Sequence, residues 1–378
     1  MQAFRSHADG CRSAEASDPV PFGMRKPIKD RACPNPDCPL YAKLRKGNIV
    51  RHSFYRTKSG RRRRFRCTSC GKTFCSNSST VYIRLQHSRA AFDRVAALSV
   101  EGVNKSSIAR VLGITWNTVA RWLERAAGAA RQFNHRMLRG FELSELQADE
   151  IRTFVDSKNH PTWVFATIEV SSRLWPSTVI GRRSYSNTRA LVSDTIHRGH
   201  FSGRLLVSTD GFEYYARVVQ QILGPACIYG QVIKTWRKNR VASIETKRGI
   251  GSANCLQEAL TMSEDSEKLN TSFIERLNLT IRRSSAYLAR RTLSHARSAD
   301  QLEQHLEVVR CHYNFMRPHA ALRFGKVTKT PAMQAGLVRR KLNFRDVFLS
   351  RIAWPVFAVC LSCLPLRKAS VRHLRLAA

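Results

Sequence analysis

Three acidic residues stand where metal-dependent phosphodiester chemistry would need them. Asp149 opens a segment rich in β-branched and aromatic residues, Asp210 ends a second such segment, and Glu275 lies near the start of a helical pattern. Cutting or joining a phosphodiester requires that charge be neutralised on the attacking and leaving oxygens. Two metal ions about 3.5–4 Å apart, held by shared carboxylates, can do this. We therefore expect these three acids to form one divided metal site.

Glu150 follows Asp149 directly and is a competing candidate for the first ligand. Neighbouring residues on a strand point to opposite faces of the sheet, so only one of the two is expected to face the site. We assign this role to Asp149. Taken singly, each acid could equally be a surface or helix-capping carboxylate.

The rest of the chain is strongly basic. It has 378 residues, with 64 Lys and Arg against 27 Asp and Glu, which gives a net charge of +37. This length allows two or three domains, and this charge favours nucleic acid as the partner, with phospholipid as the weaker alternative. The apolar run 352–366 contains two prolines and is shorter than the ~20 residues of a membrane helix. The N-terminus does not have the pattern of a secretory signal. We expect a nucleic acid partner and no membrane.

Two close cysteine pairs mark a small module at residues 32–76, namely Cys33 with Cys38 and Cys67 with Cys70. The module has no long apolar stretch, so its folded state needs a cross-link or a bound metal for stability. Four thiolates can hold a structural Zn²⁺ that supplies much of the folding energy. The alternative is a coincidence of buried free cysteines, and Cys75 is a possible substitute ligand.

The stretch between the cysteine pairs is dense in positive charge. Residues 43–66 contain 11 Lys and Arg, no acid, and three interleaved aromatic residues. A solvated face is the ordinary explanation of a charge run, but this many like charges repel one another unless an anion arrives. We expect DNA phosphates to contact the arginine run Arg61, Arg62, Arg63 and Arg64.

Residues 85–130 have the pattern of a helix-turn-helix domain. Gly113 permits a tight turn, while Ile108 and Val119 fall at core spacings in the two helices. A plain helical hairpin is the alternative reading. If the second helix enters the major groove, its leading side chains face the bases. We expect these to be Trp116, Asn117, Thr118 and Arg121.

From residue 150 to 240 the pattern alternates in a way that predicts a mixed sheet covered by helices. Strands are expected at 151–155, 163–170, 174–180, 205–209 and 227–233, and helices at 186–197 and 213–223. Residues 238–268 are less regular, and a helix of several turns follows from about Ser272. On that helix Glu275, Asn278 and Arg282 share a polar stripe, while arginines at 276, 283 and 290 repeat on another side.

The order of these parts resembles the transposases of the insertion-sequence-one family. The resemblance covers roughly residues 32–345. It rests on the string 270–282, on the sequence Leu288-Ala-Arg-Arg-Thr292 that follows it, and on the segments 313–315 and 317–319. The first cysteine pair departs from the family in being separated by four residues rather than two. The family has catalytic acids that correspond to Asp149, Asp210 and Glu275, and a basic motif that corresponds to Asn278 and Arg282.

The resemblance implies a multidomain α+β protein that moves a DNA element bounded by inverted repeats, using two Mg²⁺ ions. The expected parts are a disordered tail (1–31), a zinc ribbon (32–76), a helix-turn-helix domain (85–130), a ribonuclease-H-like α/β catalytic domain with a mixed sheet (140–325) and a C-terminal tail (326–378). The resemblance further implies double-stranded DNA as the partner, both at the element ends and at the target, a homo-oligomer on the DNA ends, and a location in the bacterial cytosol or nucleoid. Two alternatives remain open: a catalytically inert regulator that only occupies the element ends, and an RNA-binding zinc protein.

Overall fold

A computed structural model describes residues 28, 31–57, 60–78, 80–237, 240–263 and 268–350. The chain divides into two compact units, 1–78 and 79–378. Most of the expected N-terminal tail and the whole apolar run 352–366 lie outside the described residues. Within the described residues, no helix has both the length and the apolar character that crossing a membrane requires.

The first unit is a small antiparallel sheet. Its strands follow one another in the order β1 (Ile49–Thr57), β2 (Gly60–Cys67) and β3 (Thr73–Cys75). The buried cluster beneath them comprises Cys33, Cys38, Ile49, Phe65 and Cys67. Because three of these five side chains are thiols, the unit has very little hydrocarbon core of its own, as its composition predicted.

Three helices open the second unit: α1 (Arg89–Val100), α2 (Lys105–Leu112) and α3 (Trp116–Met137). The side chains of Asn104 and Thr115 cap the starts of α2 and α3, and Gly113 ends α2 in the left-handed region at φ 62°. A residue with a Cβ would be strained there. The helix pair with its tight turn is therefore present as predicted, although α3 continues to Met137 and packs along a later helix.

The centre of the second unit is a six-stranded mixed sheet. The elements from 141 to 261 are, in chain order, β4 (Phe141–Glu142), β5 (Glu145–Phe154), β6 (Pro161–Glu169), β7 (Thr178–Gly181), α4 (Tyr185–Arg198), β8 (Gly199–His200), β9 (Leu205–Asp210), α5 (Glu213–Ile222), β10 (Cys227–Arg237), β11 (Arg240–Ile250) and α6 (Ala253–Thr261). The sheet order is β11-β10-β9-β5-β6-β7, in which β5 is parallel to β9 and antiparallel to β6. The mixed sheet expected from the alternating pattern is therefore present.

Strand β5 begins earlier than the sequence pattern indicated. Asp149 was expected at the entrance of the strand but lies inside it, because Leu146 and Ala148 are buried and extend the pairing with β6 and β9 back to Glu145. A strand that is covered on both faces does not need the alternation of polar and apolar residues that marks a half-exposed strand.

The remaining helices close the unit. They are α7 (Ser272–Ser284) and α8 (Ala299–Phe315), followed by a short hairpin of β12 (Arg323–Phe324) and β13 (Val327–Thr328), then α9 (Pro331–Gln334) and α10 (Phe344–Leu349). Helix α8 packs along α3, and Phe348 of α10 packs against Tyr82 and Phe92. Residues 326–350, which were expected to belong to a tail, thus contribute to the core around α1.

Candidate active site and cysteine cluster

Parallel pairing of β5 with β9 brings two of the predicted acids together. Ala148 lies opposite Thr209, so the next residues along the two strands, Asp149 and Asp210, are neighbours at the same edge. One carboxylate oxygen from each of Asp149, Glu150 and Asp210 lies within 4.8 Å of the others. The two aspartates converge because they follow at matching positions on two parallel strands.

Backbone and amide donors orient the two acids. Asp149 accepts hydrogen bonds from the Glu150 amide at 2.7 Å and from Asn278 Nδ2 at 2.9 Å. Asp210 accepts one from the Phe212 amide at 3.1 Å. Asn278, which was expected on the polar stripe of α7, therefore contacts the first acid directly.

Glu275 shares a cleft with these acids but is not one of the three whose oxygens cluster. The cleft has a volume of about 760 Å³, and Asp149, Asp210 and Glu275 all line it. The Glu275 carboxylate pairs with Lys234 of β10 and accepts a hydrogen bond of 2.6 Å from the Thr271 hydroxyl. Its place in the first turn of α7 is favourable for an anion because the helix dipole is positive there.

Gln147 joins the strand that carries Asp149 to the helix that carries Glu275. Its buried Oε1 accepts hydrogen bonds from the amides of Phe273 and Ile274, both at 3.1 Å. These are free amides of the first turn of α7, and the N-cap residue, Thr271, makes no capping bond to them. A strand residue thus caps the helix, which fixes where Glu275 stands relative to Asp149.

Glu150 lies on the other side of β5. Its side chain is 1% exposed, pairs with Arg183 and accepts a hydrogen bond of 3.3 Å from the Tyr215 hydroxyl of α5. Glu150 was expected to point away from the site because it is on the opposite face of the strand, and Glu150 does not line the cleft. Its carboxylate nevertheless approaches the other two acids, because its longer side chain turns toward Arg183, which also lies 3.5 Å from Asp210.

Burial, together with mutual repulsion at Asp149 and Glu150, disfavours the charged forms of these carboxylates. Burial, with a further contribution from Asp210, raises the pKa of Asp149 to about 7 against the hydrogen bond from the Glu150 amide. Burial and Asp210 likewise raise the pKa of Glu150 to about 7, although Arg183 opposes them. Burial also raises the pKa of Asp210, against the Phe212 amide and Arg183. A bound cation would relieve this repulsion.

The donor set of the cleft fits a hard divalent cation. Carboxylate oxygens are the ligands that Mg²⁺ and Mn²⁺ prefer in proteins. Asp149 and Asp210 present them at one edge of the sheet, with Glu275 across the same cleft. The close group of Asp149, Glu150 and Asp210 can therefore hold a metal.

Four cysteines converge in the first unit. Cys33 Sγ lies 3.6 Å from Cys70 Sγ, and Cys38 Sγ lies 3.8 Å from Cys67 Sγ. A tetrahedral zinc with Zn–S bonds of ~2.3 Å has S···S edges of about 3.8 Å. The cluster Cys33, Cys38, Cys67 and Cys70 can therefore hold zinc, and Asn48 Nδ2 contacts the Cys67 sulfur at 3.1 Å as an outer partner.

Cys75, the substitute ligand considered above, is not in this cluster. Its thiol lies 3.4 Å from the Ser78 hydroxyl. The unusual spacing of the first pair does not prevent convergence, since Cys33 and Cys38 are both buried within the group of four.

The arginine run of the first unit lies on β2, next to the exposed Phe54 and the half-buried Tyr55 of β1. The guanidinium carbons of Arg61 and Arg63 lie 3.9 and 3.7 Å from the ring centroid of Phe54, and that of Arg64 lies 5.4 Å from Tyr55. These cation–π contacts hold like-charged side chains side by side on one strand.

The predicted base-reading residues lie at the start of α3. Asn117 and Arg121 are exposed, and Trp116 is 49% exposed with Lys105 5.4 Å from its ring. The hydroxyl of Thr118 contacts that of Thr115 at 2.9 Å, so part of its hydrogen-bonding capacity serves the helix cap. Trp116 and Arg121 also line a small pocket beside α8.

One prediction about α7 is wrong. The helix ends at Ser284, so Arg290 lies in the following loop and does not continue the seven-residue repeat of Arg276 and Arg283. Serine side chains compete for backbone hydrogen bonds and favour helix ends, and Ser284 and Ser285 stand at this boundary. Arg282, by contrast, is on the helix as predicted, with its guanidinium 3.5 Å from the Arg152 carbonyl oxygen.

The sequence analysis did not identify several residues of the acidic cleft and its surroundings. Gln147 stands two residues before Asp149 and so shares its strand face, and Thr271 stands four residues before Glu275, one helical turn away. These two spacings could have predicted that both residues lie near the acids. Arg183 and Lys234 come from distant segments, and nothing local in the sequence marks them.

No family model matches this chain, and no curated protein matches it. Among solved structures, it is similar to the cryo-EM structure of a piggyBac transposase synaptic complex with hairpin DNA, at 8% identity and a TM-score of 0.30. The match covers 71% of this chain and 75% of that one. We draw no conclusion from a likeness this weak.

Proposed function

We propose that this protein is a transposase of the insertion-sequence-one type, which binds the terminal inverted repeats of a DNA element and catalyses metal-dependent strand cleavage and strand transfer. The observation that supports this most is the cleft shared by Asp149, Asp210 and Glu275. At this cleft the carboxylate oxygens of Asp149, Glu150 and Asp210 lie within 4.8 Å of one another, and such close like charges are costly unless a cation or a proton neutralises them.

In this proposal each residue of the cleft has a defined part. Asp149 and Asp210 hold the divalent cations jointly, and Glu275 completes the ligand set from α7. Bound Mg²⁺ would supply charge stabilisation at the attacking and leaving oxygens. Asn278 orients Asp149, Gln147 sets the position of Glu275, and Arg183 partly neutralises Glu150 and Asp210.

The DNA-binding parts are proposed from charge and placement. A zinc ribbon with Arg61 to Arg64 would contact phosphates, and the start of α3 would read bases through Asn117 and Arg121, with Trp116 and Thr118 beside them. The ribonuclease-H-like assignment of the catalytic domain rests on the resemblance and is supported by the mixed sheet covered by helices. Assembly into an oligomer on the DNA ends is part of the same proposal.

The test is strand transfer with the purified full-length chain, duplexes of its own element ends and Mg²⁺. We expect cleaved and joined products that are lost in chelator and restored by Mg²⁺ or Mn²⁺. Specific binding of the ends without any product, in either metal, would instead support the inert regulator.

A further inference from the structure

A second cleft, of about 670 Å³, lies in the unit formed by residues 79–378 and is lined mainly by the segments 152–158 and 287–295. Its charged lining residues are mainly positive. Asp156 is the one carboxylate among its lining residues, and that group lies 3.9 Å from Arg297. The Lys and Arg side chains of the lining are Arg152, Lys158, Arg282, Arg290 and Arg291.

The structure gives these cations few internal counterions. Among the described residues, Arg152, Lys158, Arg290 and Arg291 form no ion pair within 4.0 Å. Burial, with a contribution from Arg290, lowers the pKa of Arg282. Unpaired positive charges this close repel one another, so an anionic ligand would stabilise the cleft.

The wall formed by 287–295 has a fixed shape. Thr292 donates its hydroxyl hydrogen to the Ala286 carbonyl at 2.7 Å and accepts a hydrogen bond from the Ser294 amide at 2.9 Å. Arg291 is held in the left-handed region at φ 57°, which a residue with a Cβ adopts at some cost. With Thr292 turned inward, Leu293 stands 98% exposed at the tip of the loop.

Ring surface completes the cleft. Phe154 and His295 lie with ring centroids 5.5 Å apart, and both are partly exposed. Basic grooves with aromatic platforms bind single strands by pairing with phosphates and stacking on bases. Exposed leucines on DNA-binding surfaces can insert between bases. A phosphate ion has no apolar surface that could contact Phe154, His295 or Leu293, whereas a DNA base does.

We propose that this cleft binds a single DNA strand, with Arg290 and Arg291 on its phosphates and Leu293 and Phe154 against its bases. The proposal rests on the proposed function, in which cleavage releases such a strand. Helix α7 connects the two clefts: Asn278 contacts Asp149, and Arg282, one turn further along, lines the second cleft. A strand that leaves the acidic cleft along α7 therefore enters this one.

The test is photocrosslinking of the full-length protein to an oligodeoxythymidine containing 4-thiothymidine, followed by mass mapping. A length of about 30 nucleotides exceeds the ~4–16 nucleotides of typical single-strand sites. We expect crosslinks in the peptides from 284–297 and 152–158. Leu293→Ala should reduce the crosslinks in 284–297, whereas Leu279→Ala, which alters another exposed leucine, should not.

A salt titration tests the phosphate contacts. Arg290→Ala combined with Arg291→Ala should reduce the slope of log affinity against log salt by about 1.4, since each single-strand phosphate contact contributes ~0.7. Arg189→Ala, at an exposed arginine of α4 outside the cleft, should leave the slope unchanged. An unchanged slope in the double variant would overturn the phosphate contacts.

Three further outcomes are distinguishable. Crosslinks in the first unit but none in 284–297 or 152–158, from a protein that still cuts its element ends, would overturn this proposal and leave the proposed function standing. Crosslinks in this cleft from a protein that never cuts would contradict the proposed function alone. If DNA-free protein self-associates and Leu293→Ala abolishes this in light scattering, a second copy covers Leu293 and the base contact is refuted.

Discussion

Replacing Gln147 by Met tests whether a strand residue sets the position of Glu275. The side chain keeps its approximate size but loses the oxygen that accepts hydrogen bonds from the amides of Phe273 and Ile274. A buried donor left without a partner costs ~1–3 kcal/mol, and of the two amides only that of Ile274 is fully buried, so the free energy of unfolding should fall by about 1–3 kcal/mol. The start of α7 would also be released from β5.

The catalytic effect should be separable from the loss of stability. A displacement of a catalytic group by ~1 Å can reduce the rate by about 10²-fold. We therefore expect Gln147→Met to reduce cleavage of an element end in Mg²⁺ by roughly this factor at a temperature well below unfolding, with end binding retained. Thermal unfolding and single-turnover cleavage are the two measurements.

Asn314→Leu is the matched control. Asn314 is buried and makes two hydrogen bonds to the backbone of Trp175, at 2.9 and 2.8 Å, but it does not line the acidic cleft. It should lose comparable stability while cleavage by the folded protein persists. The reasoning about Gln147 is refuted if Gln147→Met is destabilised like the control yet cuts at the wild-type rate.

Three further predictions address the metal cluster, the DNA contacts and the acids. The full chain should contain one zinc bound by the four cysteines, and Cys67→Ser should lose it and weaken DNA binding; metal analysis that finds no zinc in the wild-type protein would contradict this. If Arg121 contacts a base, Arg121→Ala should lose about 1–3 kcal/mol of discrimination between element ends and random DNA. Neutralising Arg61 to Arg64 should instead weaken binding to both DNAs and flatten the salt dependence. Equal losses on both DNAs for Arg121→Ala would exclude base reading by this residue. Because the folded pKa of Asp149 is raised from 3.8 to about 7, the folded metal-free protein binds more protons than the unfolded chain, and this contribution to stability is lost as the pH rises through that range. In urea unfolding with chelator, the wild type should therefore lose stability relative to Asp149→Asn between pH 4 and pH 7. A difference that does not depend on pH would exclude the pKa shift.

The sequence indicated most of the elements around the site because their patterns are local. The β-branched runs and the helical periods of 186–197 and 213–223 correspond to β9, β10, α4 and α5, and the turn at Gly113 was marked by its residue type. Strand β11 was missed because residues 242–249 are exposed and rich in charge, and pairing with β10 rather than intrinsic propensity makes them a strand.

The arrangement of the site was only partly accessible. The sequence analysis expected Asp149 and Asp210 to share one site, and the parallel pairing of β5 with β9 does bring them together. That Arg183 would bridge Glu150 and Asp210, and that Lys234 would pair with Glu275, depends on the packing of separate elements. Side-chain length also overrode the simple face argument for Glu150, whose carboxylate bends back toward the other acids.

The central claim, that Asp149 belongs to the catalytic metal site and Glu150 does not, is tested most directly by comparing two isosteric variants. Asp149→Asn removes a charge from the cleft, whereas Glu150→Gln alters a side chain that is 1% exposed and paired with Arg183. Cleavage and strand transfer of element ends should be measured in Mg²⁺ and Mn²⁺, beside end binding at one salt concentration. We expect Asp149→Asn to abolish both reactions with binding nearly intact, as should Asp210→Asn and Glu275→Gln, and Glu150→Gln to be much milder. Substantial transfer by Asp149→Asn, or greater damage from Glu150→Gln, would contradict the account.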